Sequence, residues 1–218
     1  SNHGISNKTI EKTREYGLQF FNRNTKEKET VRISKKHRGW LGYGEAQMKE
    51  DVKVDLKESF LWGYQDENGK SFEDHPLRGQ NLWPSFLPSL QESCMDFFNQ
   101  ADLLAKALLR GFAIAMNQDD NFFLKNTSRP LSRASLVYYP SQPEKMGVDQ
   151  FGVGPHTDFG TLTILCQDDV GGLQVQDING DWFHAPPIQD TIIVNAVSYT
   201  HLRAHETDSY VVCRLLLE

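Results

Sequence analysis

The spacing of hydrophobic residues divides the chain into a helical first half and a second half of short strands. Residues 7–21 carry Ile10, Leu18 and neighbouring apolar side chains on one side, which predicts a short amphipathic helix. Residues 86–117 have apolar side chains at intervals of three and four, the clearest helical pattern in the chain. Cys94 lies on that apolar face, so we expect it to be a small core residue rather than a reactive thiol.

After Arg133 the pattern changes to short apolar or alternating runs separated by turn-forming residues. An Asn-Gly pair at residues 179–180 is a signal for a tight hairpin. Strands are predicted at residues 57–64, 135–139, 161–166, 173–176, 181–184 and 191–195. Helices followed by many short strands indicate an α+β fold whose strands form a sandwich or barrel such as a jelly roll.

A highly charged stretch lies between the two predicted helices. Residues 25–38 alternate lysine and arginine with glutamate, which is more typical of a solvated helix face and loop than of a basic substrate-binding patch. Residues 39–44 then form a glycine-aromatic segment that lacks the lysine of a phosphate-binding loop, so we interpret it as an ordinary loop. Both segments remain candidates for substrate contacts.

Composition restricts the class of protein. The 218 residues include 39% hydrophobic and 24% charged residues, as expected for one globular domain, and no apolar run is long enough to cross a membrane. The net charge of −6 argues against a general nucleic-acid binder. Three distant cysteines do not make a disulfide framework, and no signal peptide is visible. We therefore expect a cytoplasmic monomer that binds neither nucleic acid nor membrane.

The candidate chemistry lies in the tripeptide His156-Thr157-Asp158. On an extended segment, residues two apart point to the same side, so this histidine and aspartate can bind one metal ion. Two histidines and one carboxylate on one face of an octahedron are typical of non-haem Fe(II) oxygenases. Taken alone, the tripeptide is short enough to arise by chance, as a turn-capping histidine next to an exposed aspartate.

The segments around this tripeptide follow the order of a known family. They comprise residues 2–5, 37–40, 55–60, 138–140, 161–165, 171–175, 180–182, 186–187 and 194–195. The chain resembles the isopenicillin N synthase-like family of Fe(II)/2-oxoglutarate-dependent dioxygenases. The resemblance implies a double-stranded β-helix (jelly roll) core preceded by a helical N-terminal region. It also implies Fe(II) as the metal, 2-oxoglutarate and O₂ as co-substrates, and a small organic molecule as the substrate that is hydroxylated or otherwise oxidised.

The resemblance assigns roles to six residues. His156 and Asp158 match the first two iron ligands and are the predicted catalytic residues. Tyr139 matches a tyrosine that hydrogen-bonds 2-oxoglutarate in many members, although a buried aromatic before proline is an equally good interpretation. Thr161 and Leu162 are predicted to line the co-substrate pocket, although buried strand residues explain them equally well. Asn195 is predicted to border the site.

The family pattern ends after Asn195. Cys213 stands where the family places its distal histidine ligand, and the arginine and serine that bind the 2-oxoglutarate carboxylate are not found at their expected spacing. We therefore predict an N-terminal region at residues 1–130, a partial jelly-roll core at 131–195 and a non-native tail at 196–218. On this interpretation the chain is a C-terminally truncated fragment, inactive as written, of an active oxygenase.

Two other functions remain open at this stage. A zinc hydrolase would use His156, Asp158 and a histidine of the tail, His201 or His205, as its metal ligands. A non-catalytic β-sandwich binding module would carry the His-Thr-Asp tripeptide without using it. Metal analysis and the effect of removing the His156 side chain distinguish these alternatives.

Overall fold

The computed structural model describes residues 2–47, 53–66, 68–70, 74–127, 130–141, 150–158, 160–196, 201–204 and 210–217; for residue 126 and the last two ranges it describes the backbone alone. The helices are α1 (Asn7–Phe21), α2 (Thr25–Glu29) and α3 (Pro88–Ala115), with a 3₁₀ turn at Leu124–Asn126. The strands are β1 (Gly39–Leu41), β2 (Glu58–Gly63), β3 (Arg133–Tyr139), β4 (Val153–His156), β5 (Leu162–Cys166), β6 (Leu173–Gln176), β7 (Trp182–His184), β8 (Ile193–Ala196), β9 (His201–Ala204) and β10 (Tyr210–Leu217).

The described strands form two antiparallel sheets. The larger has the order β1-β2-β3-β10-β5-β8 and the smaller has the order β4-β9-β6-β7. Strands from the beginning and the end of the chain are therefore hydrogen-bonded in one sheet, and β2 pairs with β3 from Glu58↔Tyr138 to Gly63↔Arg133. This arrangement confirms the predicted α+β fold with a jelly-roll core behind an N-terminal helical region.

The main hydrophobic core lies between the larger sheet and helices α1 and α3. Side chains alternate across a strand, so Phe60 and Trp62 of β2 and Leu136 of β3 face the helices. In β5 the same face carries Leu162, Ile164 and Cys166, each almost fully buried. The opposite face of this sheet is left to face the smaller sheet.

Helix α3 confirms the predicted long helix, with one change along its length. Leu90, Cys94 and Phe97 are buried as expected, but in the last turns the buried residues are Leu109 and Ala113. Phe112, one of the apolar residues in this predicted helix, is 38% exposed. The buried positions near this end, Ala105, Leu109 and Ala113, recur every four residues. No helix in the described ranges is long and apolar enough to cross a membrane.

The charged stretch and the glycine-aromatic segment differ from their sequence interpretation. Lys28 is buried and donates from Nζ to Oε2 of Glu58 at 2.7 Å, and Arg38 is only 2% exposed. The Arg38 guanidinium donates to the backbone carbonyls of Lys36, His37 and Leu77. Residues Gly39–Leu41 form strand β1 rather than a loop. Both Lys28 and Arg38 are therefore held inside the fold, where they cannot form part of a substrate-facing patch.

A second, smaller hydrophobic cluster lies on the other face of the larger sheet. Val137 and Tyr139 of β3 and Val153 of β4 are buried together, with Leu165 of β5 packed against them. This cluster joins strands of the two sheets. The space between the sheets begins here, and the candidate site lies in it.

Candidate metal centre

His156 is the last residue of β4, where the strand places its imidazole between the two sheets. Its Nδ1 lies 2.9 Å from the carbonyl oxygen of Gly154. Because a carbonyl can only accept a hydrogen bond, the neutral ring carries its proton on Nδ1 and presents a lone pair at Nε2. A backbone carbonyl that fixes the tautomer in this way is common behind histidines that bind metal ions.

Asp158 lies two residues further on and turns toward the same ring. Its Oδ1 is 3.5 Å from Nε2 of His156, and its other oxygen, Oδ2, accepts a hydrogen bond of 3.0 Å from Nδ2 of Asn195. Both the Nε2 and the Oδ1 atoms are shielded from solvent. Asn195, which the sequence predicts to border the site, lies in β8 of the larger sheet and supplies a side chain that orients the carboxylate.

The donor set fits a divalent transition metal. Imidazole nitrogen and carboxylate oxygen bind such ions at about 2.0–2.2 Å, so two ligands of one ion are at most about 4.4 Å apart. The 3.5 Å between Nε2 and Oδ1 lies within that limit. Within the residues that the structure describes, no group of three or more histidine, cysteine, aspartate or glutamate residues surrounds a common point. The described residues thus supply two ligands.

The positions of the two tail histidine side chains, His201 and His205, are not described by the structure. The backbone of His201 begins β9, whose next residue, Leu202, pairs with His156. The side chain of His201 and the whole of His205 fall outside the described residues. Their assignment as a zinc ligand in the hydrolase alternative therefore stays a prediction.

Strand β5 turns the predicted pocket residue Leu162 into the core, and the other, Thr161, stands just before the strand. Leu162 is 1% exposed in the core between sheet and helices, and Thr161 is exposed just before the strand. The residue on the inner face is Thr163, whose cross-strand neighbour in β8 is Asn195. Neighbouring side chains in an antiparallel pair share a face, so Thr163 lies on the same side as the Asn195 side chain.

Thr163 is a polar residue that sequence reasoning did not select. It is 2% exposed, and its Oγ1 is buried without a hydrogen-bond partner among the described residues. A buried hydroxyl in this state is uncommon and points to a ligand or water that completes its bonding. The available signal was a polar residue, Thr163, inside the otherwise apolar run of residues 162–166.

Tyr139 lies at the end of β3, on the inner face of the larger sheet. It is 7% exposed and packs with Val137 and Val153. Val153 belongs to the strand that carries His156, so Tyr139 contacts the wall of the candidate site. Both interpretations of Tyr139, a core aromatic and a co-substrate contact, are compatible with this position.

A cavity elsewhere in the molecule does not belong to this site. It has a volume of about 580 Å³ and lies where α1 meets the β5 and β8 end of the larger sheet. Arg14, Cys166 and Asp190 are among its lining residues, and neither His156 nor Asp158 contributes to it. The Arg14 guanidinium there donates to the carbonyl of Gln167.

Two family models match the chain on either side of α3. Residues 1–86 match the family model described as the N-terminal region of a non-haem dioxygenase in morphine synthesis. Residues 132–209 match the model of the 2OG-Fe(II) oxygenase superfamily. The second match includes His156, Asp158 and Asn195. It continues into the segment beyond residue 196.

Individual relatives agree with these models. A probable iron/ascorbate oxidoreductase of Dictyostelium discoideum is 30% identical over 220 residues, which cover 88% of this chain and 60% of that protein. The validamycin A dioxygenase of Streptomyces hygroscopicus subsp. limoneus is 29% identical over 209 residues, 91% of this chain and 57% of the enzyme. The chain thus spans about 60% of the length of these curated relatives.

Comparison of the fold with solved structures finds the same class of protein. The crystal structure of a full-length Neurospora crassa protein in complex with alpha-KG superposes with a TM-score of 0.83 at 25% identity, covering 98% of this chain and 72% of that one. Sequence motifs, family models and fold agree on one assignment. The chain belongs to the Fe(II)/2-oxoglutarate-dependent oxygenases, a placement consistent with their isopenicillin N synthase-like branch.

Proposed function

We propose that the protein is a non-haem oxygenase that binds Fe(II) through His156 and Asp158. On this proposal it couples the oxidative decarboxylation of 2-oxoglutarate to the oxidation of a small organic molecule. The observation that carries the proposal is the buried approach of a histidine lone pair, at Nε2, to a carboxylate oxygen at 3.5 Å. Two such acceptors facing each other are suited to a shared cation.

The residues of this chain then have separate tasks. The carbonyl of Gly154 holds the Nδ1 proton of His156 and leaves Nε2 as the metal ligand. Asn195 donates to one oxygen of Asp158 and so leaves the other to the metal. When bound, Fe(II) with 2-oxoglutarate supplies the oxidation by O₂, which protein side chains alone cannot carry out.

Two further features surround the ligands. The apolar cluster of Val137, Tyr139, Val153 and Leu165 excludes water from the wall beside β4. Thr163 offers a buried hydroxyl on the face shared with Asn195, where it can donate to an oxygen atom of a bound co-substrate or substrate. We propose Thr163 and Tyr139 as the polar contacts of the co-substrate pocket, in preference to Thr161 and Leu162.

Metal binding tests the first step of the proposal. The chain is titrated with Fe(II) under anaerobic conditions, and binding is followed by calorimetry in the wild type, in His156→Ala and in Asp158→Ala. We expect one saturable site that is weakened at least about 100-fold in both variants, because each loses a direct ligand. His184→Ala is the matched control, since this histidine is exposed at the end of β7. Equal affinity in wild type and His156→Ala would overturn the site.

Conversion of 2-oxoglutarate to succinate tests the reaction. Because no residue of the chain has been assigned to the family's arginine and serine pair, we expect the 218-residue chain to bind iron but to turn over 2-oxoglutarate only weakly. Rapid succinate formation would disprove this expected inactivity while supporting the reaction class. Zinc-dependent hydrolysis of esters or amides without any use of 2-oxoglutarate would favour the hydrolase instead.

The composition of the chain supports a proposal about its compartment, its oligomeric state and its partners. We propose that it is a cytoplasmic monomer that takes a small-molecule substrate and binds neither nucleic acid nor membrane. The acidic balance, with a net charge of −6, supports the exclusion of nucleic acid. Light scattering after size-exclusion chromatography tests the monomer.

A further inference from the structure

A buried ion pair lies directly behind the metal-binding strand. Nζ of Lys57 is 3.0 Å from Oδ2 of Asp55, and the side chains are only 10% and 2% exposed. The two residues lie on either side of a bend at Leu56, just before β2, and their side chains meet there. Burying two charges is costly unless additional hydrogen bonds complete their environment.

The second carboxylate oxygen makes such a bond, and its partner belongs to β4. Oδ1 of Asp55 accepts a hydrogen bond of 3.0 Å from the backbone N–H of Gly154. The carbonyl of the same glycine is the group that faces Nδ1 of His156. A continuous series of contacts therefore runs from the Lys57 ammonium through Asp55 and Gly154 to the imidazole.

Neighbouring contacts hold the same two segments together. Leu56 donates its backbone N–H to the carbonyl of Phe151 at 3.2 Å, and Nε2 of Gln150 donates to the carbonyl of Val54 at 2.8 Å. Asp55 itself is fixed by its backbone N–H, which donates to the carbonyl of Ala46. The segment that carries Asp55 is thus clamped along residues 150–154, just before the metal ligands.

We propose that Asp55, held by Lys57, is a positioning residue for the metal centre. It fixes the peptide of Gly154 so that the glycine carbonyl selects the tautomer and ring orientation of His156. The inference rests on the proposed role of His156 as a metal ligand. It assigns a task at the metal site to a residue that lies 99 positions away in sequence from the strand it anchors.

The neighbouring residue provides a matched control. Glu58 also forms a buried ion pair, with Lys28 at 2.7 Å, and accepts a hydrogen bond from Nε1 of Trp40. None of these contacts reaches β4. Loss of this pair therefore reports the cost of disrupting a buried charge in the same region without a direct effect on His156.

The experiment measures Mn(II) affinity by the electron paramagnetic resonance of the free ion, together with the melting temperature of the metal-free chain. Asp55→Ala removes the acceptor but leaves Lys57 buried without that carboxylate, so the double variant Asp55→Ala/Lys57→Met is included to limit the loss of stability. We expect the double variant to bind Mn(II) at least about 10-fold more weakly than wild type, as for other groups that support metal ligands. Glu58→Gln should lower the melting temperature with an unchanged Mn(II) dissociation constant.

A conservative variant separates positioning from charge. Asp55→Asn keeps an oxygen that can accept from Gly154, so we expect its Mn(II) affinity to stay within about 3-fold of wild type although its stability falls. Hydrogen exchange of the Gly154 amide in the metal-free chain should be faster in the double variant and close to wild type in Asp55→Asn.

Each outcome separates the two proposals. A folded double variant with wild-type Mn(II) affinity would overturn the role of Asp55. A wild-type chain whose Mn(II) binding does not change in His156→Ala would instead overturn the proposed metal site, whatever the Asp55 variants show.

Discussion

At the scale of single residues, the candidate centre depends on how Asp158 is held. Its Oδ2 accepts from Asn195 at 3.0 Å, and its Oδ1 lies 3.5 Å from the histidine nitrogen. The hydrogen bond gives the two carboxylate oxygens different tasks, because the oxygen bound to Asn195 is turned toward β8. A carboxylate oriented in this way loses less rotational freedom when it binds an ion.

Replacing Asn195 with alanine therefore tests orientation of the carboxylate without removing a ligand. We expect Asn195→Ala to weaken divalent metal binding by about 10-fold, the lower end of the range for groups that support metal ligands. Calorimetric titration with Fe(II) under anaerobic conditions measures the change. Asn179→Ala, in the turn between β6 and β7, is the control and should bind as wild type does. An unchanged affinity in Asn195→Ala would show that the hydrogen bond does not orient the ligand.

At the scale of elements, a cation that packs closely against the end of a strand limits which residue can occupy that end of the strand. Gly63 closes β2, and a Cβ atom added there would overlap with the guanidinium of Arg38. Arg38 cannot easily move away, because it donates to three backbone carbonyls. The glycine is also fixed by two hydrogen bonds with the side chain of Asn81.

Two glycine-to-alanine variants should consequently have opposite effects on stability. Gly63→Ala is expected to lower the free energy of unfolding by about 1–3 kcal/mol through overpacking. Gly111 lies in α3, where a new methyl group has open space around it. Gly111→Ala should raise the free energy of unfolding by about 0.5–1 kcal/mol because alanine favours the helix. Urea denaturation followed by circular dichroism measures both. Equal stability of the two variants would show that Arg38 yields to the methyl group.

At the scale of the whole molecule, the helices and the larger sheet share one core. Cys94 of α3 and Cys166 of β5 are both buried in it, although they lie on opposite sides of the predicted boundary between residues 130 and 131. Burial raises the pKa of the Cys166 thiol to about 12, so the folded protein contains almost no thiolate at this position near neutral pH. Reaction at either thiol therefore requires the core to open.

Thiol labelling tests whether this core opens as one unit. In a Cys213→Ser background, we expect Cys94 and Cys166 to react with Ellman's reagent at rates that agree within about 3-fold, and that rise together in low concentrations of urea, because both require the same global opening. Mass spectrometry of the labelled peptides gives the two rates separately. Much faster labelling of Cys166 would show instead that β5 opens independently of α3.

The local pattern of the sequence was sufficient for most elements. Helix α1 has the predicted bounds, β6 coincides with residues 173–176, and the Asn-Gly pair forms the turn between β6 and β7. These features depend on periodicity and turn chemistry, which act over a few residues. The His-Thr-Asp tripeptide and its surrounding motifs likewise identified the family, because a linear order of short segments is a property of the sequence itself.

Tertiary structure decided which side chains meet. The sequence placed Leu162 in the pocket and left Arg38 on a solvated surface, whereas the pleat of β5 turns Leu162 into the core and brings Thr163 to the inner face. Contacts of Asp55 with Gly154, and of Asn195 with Asp158, join residues 99 and 37 positions apart. No local pattern contains such pairings, because sheet order and strand register are set by packing of the whole chain.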